Sequence, residues 1–273
     1  MDMDNFMKIS IRSLVCGVVA CAGTWSGLTK EARAEMPVPR LTLDAAASEP
    51  APAEATPPFG FTGDWGGSRK QMQTQGFECG GYVVLDVSKN LRGGVDTEAT
   101  PVRYLLDLHV AVDGEKVLHL PGATFLVDFQ SHDGPNAIEN LTGELQGFDN
   151  MDARSFVQIY QLWWEQKWGE TVRTKVGKMD GATEFSVMPH SVEFLNSTMP
   201  WSVSMFTFPT YPDAAPGAVV FWRPTEWYYA QGGVFYSNDN DDFLDFAGHP
   251  HKTRTAAGGI FLIGETGLEW KLG

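Results

Sequence analysis

The sequence predicts an all-β fold, a transmembrane antiparallel β-barrel preceded by a short polar helix, and three observations predict it. Short runs alternate apolar and polar residues between Gly, Pro, Asn and Asp, as barrels and sandwiches both do. Aromatic residues gather near the ends of these runs, at Trp163, Trp164, Trp168, Trp222, Trp227, Tyr228 and Tyr229, as a membrane interface favours. Several polar faces carry ionisable side chains, which a water-filled lumen tolerates cheaply and lipid does not. Periodicity alone leaves the choice open. A soluble sandwich hides its apolar face inside, whereas a membrane barrel turns that face outward to lipid.

Length and composition set the bounds. At 273 residues with 43% hydrophobic content, one domain with a sizeable core is possible. A net charge of −14 argues against nucleic acid as a partner, because phosphate binding needs clustered Lys and Arg. With 29 glycines, 17 phenylalanines and 9 tryptophans, the chain is rich in turns and aromatic surface.

The N-terminus reads as an export signal over residues 1–34. Lys8 and Arg12 precede an apolar segment, Leu14 to Ala22, and Ala32-Arg33-Ala34 supplies the small residues of a cleavage site. The segment is too short for a spanning helix. A competing site, Val18-Val19-Ala20-Cys21, resembles a lipoprotein processing box that would leave Cys21 lipidated. Cleavage after Ala34 leaves Cys79 as the single thiol, and therefore no disulfide framework. Residues 35–58, rich in Ala, Pro and Glu without any period, read as a flexible linker.

The domain proper is expected over residues 59–273. It opens on a helix of about two turns, with Asp64 as cap, Gly66 and Gly67 permitting a tight entry, a polar run from Ser68 to Gln75, and Gly76 as its terminator. Met72 is nearly its only apolar residue, so this is not a core helix. The alternating runs follow. Val83, Leu85 and Val87 oppose Tyr82, Val84, Asp86 and Ser88, and Tyr104, Leu106, Leu108 and Val110 oppose Arg103, Leu105, Asp107 and His109. Phe125, Val127 and Phe129 oppose Thr124, Leu126, Asp128 and Gln130, and Val172, Thr174 and Val176 oppose Arg173, Lys175 and Gly177. Further strands are expected within Phe156–Trp164, Ala218–Arg223, Trp227–Tyr236, Ala257–Gly264 and Leu268–Leu272, about nine in all. Short turns such as Val112 to Glu115 contrast with long stretches at Ser131–Arg154 and Asp180–Pro216, the asymmetry of outer-membrane barrels. The long segment containing Met188-Pro189-His190 and Pro209 to Pro216 is a candidate to fold inward and narrow a pore.

The motifs carry a resemblance. GDWGGSR at Gly63–Arg69, followed by a polar helix, a glycine and a strand, resembles the start of the carbohydrate-selective porin (OprB) family. PGATF at Pro121–Phe125, YQLWWEQKW at Tyr160–Trp168, GKMDGATEF at Gly177–Phe185 and FLNSTMPW at Phe194–Trp201 are similar to later family segments. So are Tyr211–Phe235 and Ile260–Trp270, all in family order. The resemblance implies a sixteen-stranded barrel in the outer membrane of a Gram-negative bacterium, in contact with its lipid, that passes small sugars. A sugar channel needs charged and amide side chains to exchange hydrogen bonds with hydroxyls, and aromatic faces for pyranose rings. The candidates on or beside polar faces are Arg103, Asp107, His109, Asp128, Gln130, Glu165, Arg173 and Lys175. For each, the plainer role is lumen electrostatics without solute contact.

No cofactor, metal or catalytic site is expected. The sequence has no Gly-x-Ser-x-Gly, phosphate loop or His-Glu-x-x-His motif. The acidic run Asn238–Asp242 lacks the EF-hand glycine and terminal Glu, and His249-Pro250-His251 has no defined third ligand. About nine strands fall short of sixteen, and an open arc leaves edge N–H and C=O groups unpaired in lipid. The last residues, Trp270-Lys271-Leu272-Gly273, also depart from the aromatic ending common in such barrels. Truncation accounts for this most simply; a smaller plugged barrel or an assembly of several chains would also account for it. The competing functional readings are a secreted or lipid-anchored soluble β-sandwich that binds glycans, and a truncated, non-functional porin remnant.

Overall fold

A computed structural model describes residues 14–16, 62–143, 148–187, 195–196, 208–237 and 259–269. The expected linker, most of the expected export signal, Met188-Pro189-His190, Asn238–Asp242 and His249-Pro250-His251 lie outside the described residues.

The helical entry forms as its residues dictate. Asp64 starts a single 3-10 turn, Trp65–Gly67, and its carbonyl accepts the Gly67 and Arg69 N–H groups at 3.0 and 3.2 Å. Its Oδ1 accepts the Lys70 N–H at 3.1 Å, inside the first turn of helix α1 (Ser68–Thr74). Gly67 and Gly76 bracket the helix at φ 94° and 95°, where a side chain would be strained. No residue of α1 is buried, as its polar composition requires. The helix is tied down by Arg69, whose Nη2 donates to the Cys79 carbonyl at 2.6 Å.

Eight long strands follow: β2 (Phe77–Val87), β3 (Val102–Asp113), β4 (Ala123–Asp133), β5 (Phe156–Trp168), β6 (Val172–Met179), β7 (Ala215–Thr225), β8 (Tyr228–Ser237) and β9 (Gly259–Leu268). Most reach the ten or so residues that a tilted strand needs to cross a bilayer. A three-residue strand, β1 (Leu14–Cys16), pairs with β9. The sheet order is β1-β9-β8-β7-β6-β5-β4-β3-β2, and every neighbour is antiparallel. This single meander is the wall of a partial β-barrel, and not the two facing sheets of a sandwich. Among the described residues β2 and β9 do not meet, so the strands form an arc.

The two faces are reversed relative to a soluble domain. On β3, Arg103, Leu105, Asp107 and Ala111 are buried, while Leu108 and Val110 lie exposed on the other side. The outer face carries Leu85 at 72% exposure and Leu262 at 65%, together with Val83, Val127, Leu162, Val176, Val220 and Val234. The inner face buries Asp128, Gln130, Gln158, Lys175, Gln231 and Glu265. Apolar side chains outward and ionisable ones inward is the arrangement that lipid on one side and water on the other select.

Long connections gather at one end of the sheet and short ones at the other. Residues 88–101, 134–155 and 180–214 link strands at the first end, and residues 114–122, 169–171 and 226–227 link them at the second. At the second end Phe125 stacks on Trp164 with ring centroids 6.3 Å apart, and Trp222 meets Tyr228 edge-on at 6.2 Å.

Three local expectations are corrected. The break expected between Ala257–Gly264 and Leu268–Leu272 is absent from the described residues: β9 runs through Gly267, which sits under the Tyr229 ring, to Leu268, and residues 270–272 lie outside the described residues. The connection at Val112–Glu115 is no bare turn. Asp113 Oδ1 accepts the Glu115 and Lys116 N–H groups at 3.0 and 3.1 Å and starts helix α2 (Gly114–Leu118). Trp163 and Tyr229 do not join the outward aromatic belt, since both take inner positions, opposite Leu126 and beside Glu265.

Candidate functional site: a charged inner wall beneath an inward loop

The inner side chains of neighbouring strands face one another in register, and the register sorts the candidate residues into two groups and leaves Arg103 apart. The first lies on β3, β4 and β5, where His109 pairs across to Asp128, Asp107 to Gln130, and Asp128 to Gln161. Gln130 Nε2 donates to Asp107 Oδ2 at 2.8 Å, Gln161 Nε2 donates to Asp128 Oδ2 at 3.1 Å, and His109 Nδ1 lies 3.3 Å from Asp107 Oδ1. The His109 ring reaches over β2 at Gly80, where a Cβ would fall 2.3 Å from its Nε2.

The second group lies on β5 and β6. Glu165 pairs in register with Lys175, and Arg173 Nη1 donates to Glu165 Oε2 at 2.8 Å. Above them the connection after β6 folds inward. Asp180 starts it, its side chain accepting the Ala182 N–H at 2.8 Å and the Tyr160 hydroxyl at 2.6 Å. Burial pushes the Asp180 carboxyl up against these bonds. Glu184 then enters between the two cations: Arg173 Nη2 donates to its Oε2 at 2.7 Å, and Lys175 Nζ donates to its Oε1. Burial opposes the ionised form of Glu184, but Lys175 and Arg173 outweigh it and hold its pKa at about 2. Lys175 Nζ also lies 4.0 Å from the centroid of the Trp163 ring, and the Arg173 guanidinium lies 5.2 Å from that of Phe221.

The inward loop is secured beyond Glu184. Phe185 packs with Phe208, Met179, Val219, Phe235 and Ile263 in a small apolar cluster on the inner side. The Ser186 N–H donates to Glu265 Oε2 at 2.9 Å, and Gln231 Nε2 donates to the Glu184 carbonyl at 2.7 Å. Residues 181–187 and 208–214 thus lie on the inner side of the arc.

Arg103 stands apart from both groups. It is 1% exposed and bonded to Asp86, Ser88, Asp149 and Asp152, so it ties the connection between β4 and β5 to the wall. Other residues are not among the candidates: Gln158, Gln161, Gln231 and Glu265 on the wall, and Asp180 and Glu184 in the inward connection. Alternation along β5, β8 and β9 signals Gln158, Gln231 and Glu265. Gln161 is hidden by a bulge between Asp128 and Phe129 that shifts the pairing. Glu184 lies in a connection without any period.

Comparison with known proteins places this geometry. A family model described as "Carbohydrate-selective porin, OprB family" matches residues 102–273. The match excludes the Gly63–Arg69 motif. No curated protein matches. Among solved structures, the high-pH structure of Pseudomonas putida OprB is similar with a TM-score of 0.58 and 21% identity, over 65% of this chain and 44% of that one. The low-pH structure of the same protein gives a TM-score of 0.42 and 21% identity, over 64% and 50%. The first shares the barrel fold, and the chain spans less than half of its length. With the family model covering well over half its residues, this chain belongs to the OprB family of carbohydrate-selective porins.

Proposed function

We propose that the chain forms part of an outer-membrane pore of a Gram-negative bacterium through which sugars such as monosaccharides diffuse passively. It acts as a channel wall and performs no chemistry on the solute. The observation that carries this reading is the pairing of the two faces: an exposed apolar exterior, and a polar interior narrowed by residues 181–187. A neutral sugar crossing such a wall exchanges hydrogen bonds with the part-exposed His109, Glu165 and Arg173 in place of water, while the buried Asp107, Asp128, Gln130 and Lys175 hold those side chains and the wall around them. Because their charges are mostly paired, the wall offers donors and acceptors without a strong net field. Arg103 contributes by holding the wall's cover in place.

The reading is tested by liposome swelling with the purified chain, comparing a neutral hexose with an ionic solute of similar size. Faster swelling in the hexose supports it. Protein that extracts with detergent yet gives no swelling in any solute counts against it, and favours a non-conducting part of such a barrel.

A further inference from the structure

We propose a second solute site, at the end of the sheet with the short connections: the cavity between α1, α2 and the start of the β2–β3 wall binds one neutral, hexose-sized polyol. The inference rests on the channel reading above and adds to it a resting place at the mouth opposite the long connections. A cavity of about 250 Å³ lies there, with Gln73, Phe77, Glu78, Ala111, Asp113 and Lys116 around it. That volume falls just below the roughly 300 Å³ at which pockets for drug-sized ligands begin, so it holds a single small ring. Glu78 and Ala111 are register partners on the inner face, and the next inner pair along the wall is Gly80 with His109. The cavity therefore opens onto the same row of side chains that a crossing sugar meets.

Backbone contacts hold the cavity's frame. Gly76 follows α1 at φ 95°, its carbonyl accepts the Asp113 N–H at 2.8 Å, and a Cβ on it would fall 2.9 Å from Lys116 Cβ, so α1 and α2 meet directly. Asp113 Oδ1, by accepting the Glu115 and Lys116 N–H groups, fixes the turn from which Lys116 projects. Asp113 Oδ2 lies 3.6 Å from Lys116 Nζ, too far for a hydrogen bond, and the Lys116 side chain is 52% exposed. Its ammonium is open to a ligand. The Glu78 carboxylate and the Gln73 carboxamide form no hydrogen bond or ion pair among the described residues. Unlike groups therefore surround one space: a carboxylate that only accepts, an ammonium that only donates and an amide that does both. A polyol answers all of them with adjacent hydroxyls, and Phe77 and Ala111 give its C–H groups an apolar side. An anion would meet Glu78 and Asp113, and a cation would meet Lys116.

The test is isothermal titration calorimetry of the full chain in detergent, with glucose as the probe. The wild-type protein is expected to bind glucose. Glu78→Ala removes a charged acceptor and is expected to weaken that binding by about tenfold. Gln73→Trp fills the cavity from α1 and leaves every wall residue in place, and it is expected to weaken binding at least as far. Gln73 is exposed, so this variant keeps the fold even if Glu78→Ala does not, and an unchanged unfolding midpoint checks it. Glucose binding that is absent from wild type overturns the proposal. So does binding that both substitutions leave unchanged, which would place the sugar elsewhere on the wall. Calorimetry reads the site whether or not a pore closes. A chain that loses glucose in both variants but never swells liposomes counts against the channel reading alone, and a chain that swells them while its glucose binding ignores both substitutions counts against this site alone.

Discussion

The ring of Phe185 lies in the space left by the absent side chain of Gly233: a Cβ there would come within 2.9 Å of the Phe185 Cε2 and Cζ atoms. One glycine on a wall strand therefore sets how closely the inward loop approaches. Gly233→Ala should push Phe185 from its cluster, at a cost of about 1–3 kcal/mol for overpacking. Denaturant unfolding reads the cost, and limited proteolysis within residues 181–187 should become faster than in wild type. Unchanged stability and unchanged cleavage would show that the loop does not depend on this seat.

Arg103 should behave as a fold residue. Its guanidinium is surrounded by Asp86, Asp149 and Asp152, and Arg103→Met leaves three carboxylates without their cation in a buried place. Removing one partner from a buried ion network costs about 3–5 kcal/mol. The expected outcome is a lowered unfolding midpoint and early proteolysis near residues 148–153, and both are measurable in detergent.

Much of the fold is legible in the sequence, and what is not has physical causes. The alternation at Tyr104–Val110 and Thr124–Gln130 identifies which side chains share a face, because a strand has period two whatever lies on either side. It does not say which face meets lipid; the aromatic residues at strand ends favour one side, but Trp163 and Tyr229 among them turn inward. Position on its face alone makes Arg103 a lumen residue, and the loop carboxylates that cover it have no sequence pattern. Glu184 falls within the GKMDGATEF motif, but no strand period marks it as a residue that faces the wall. The gap expected between Ala257–Gly264 and Leu268–Leu272 is strand, and Gly267 within it serves as a slot for the Tyr229 ring.

Acid should loosen the inward loop. Glu184 has a pKa of about 2 in the folded chain, against an ordinary 4.5. Between these values the unfolded state binds more protons, so the contribution of Glu184 is complete above about pH 4.5 and is lost as pH falls toward 2. The groups facing it are Arg173 and Lys175 on β6, Glu165 on β5, Glu265 on β9 and Asp180 in its own segment. Urea midpoints measured between pH 6 and pH 2 should fall by less in Glu184→Gln than in wild type, and identical profiles would remove Glu184 as their cause.

His109 and Gly80 should be coupled. Gly80→Ala places a Cβ where the His109 ring lies, and is expected to destabilise the chain by about 1–3 kcal/mol. In a His109→Ala background the same change should cost little. A double-mutant cycle measures the difference, and additive effects would show that the ring does not occupy that site.

Which face of the sheet meets lipid decides whether this chain is a channel wall, and adjacent positions on β3 test it most directly. Spin labels placed singly at Leu108 and at His109, in a background with Cys16, Cys21 and Cys79 replaced by Ser and reconstituted into liposomes, are read for collision with oxygen, which concentrates in lipid, and with a water-soluble nickel chelate. A lipid-facing apolar side predicts high oxygen accessibility at 108 and not at 109. Oxygen accessibility that is low at 108 and high at 109, or that does not differ between them, would contradict it.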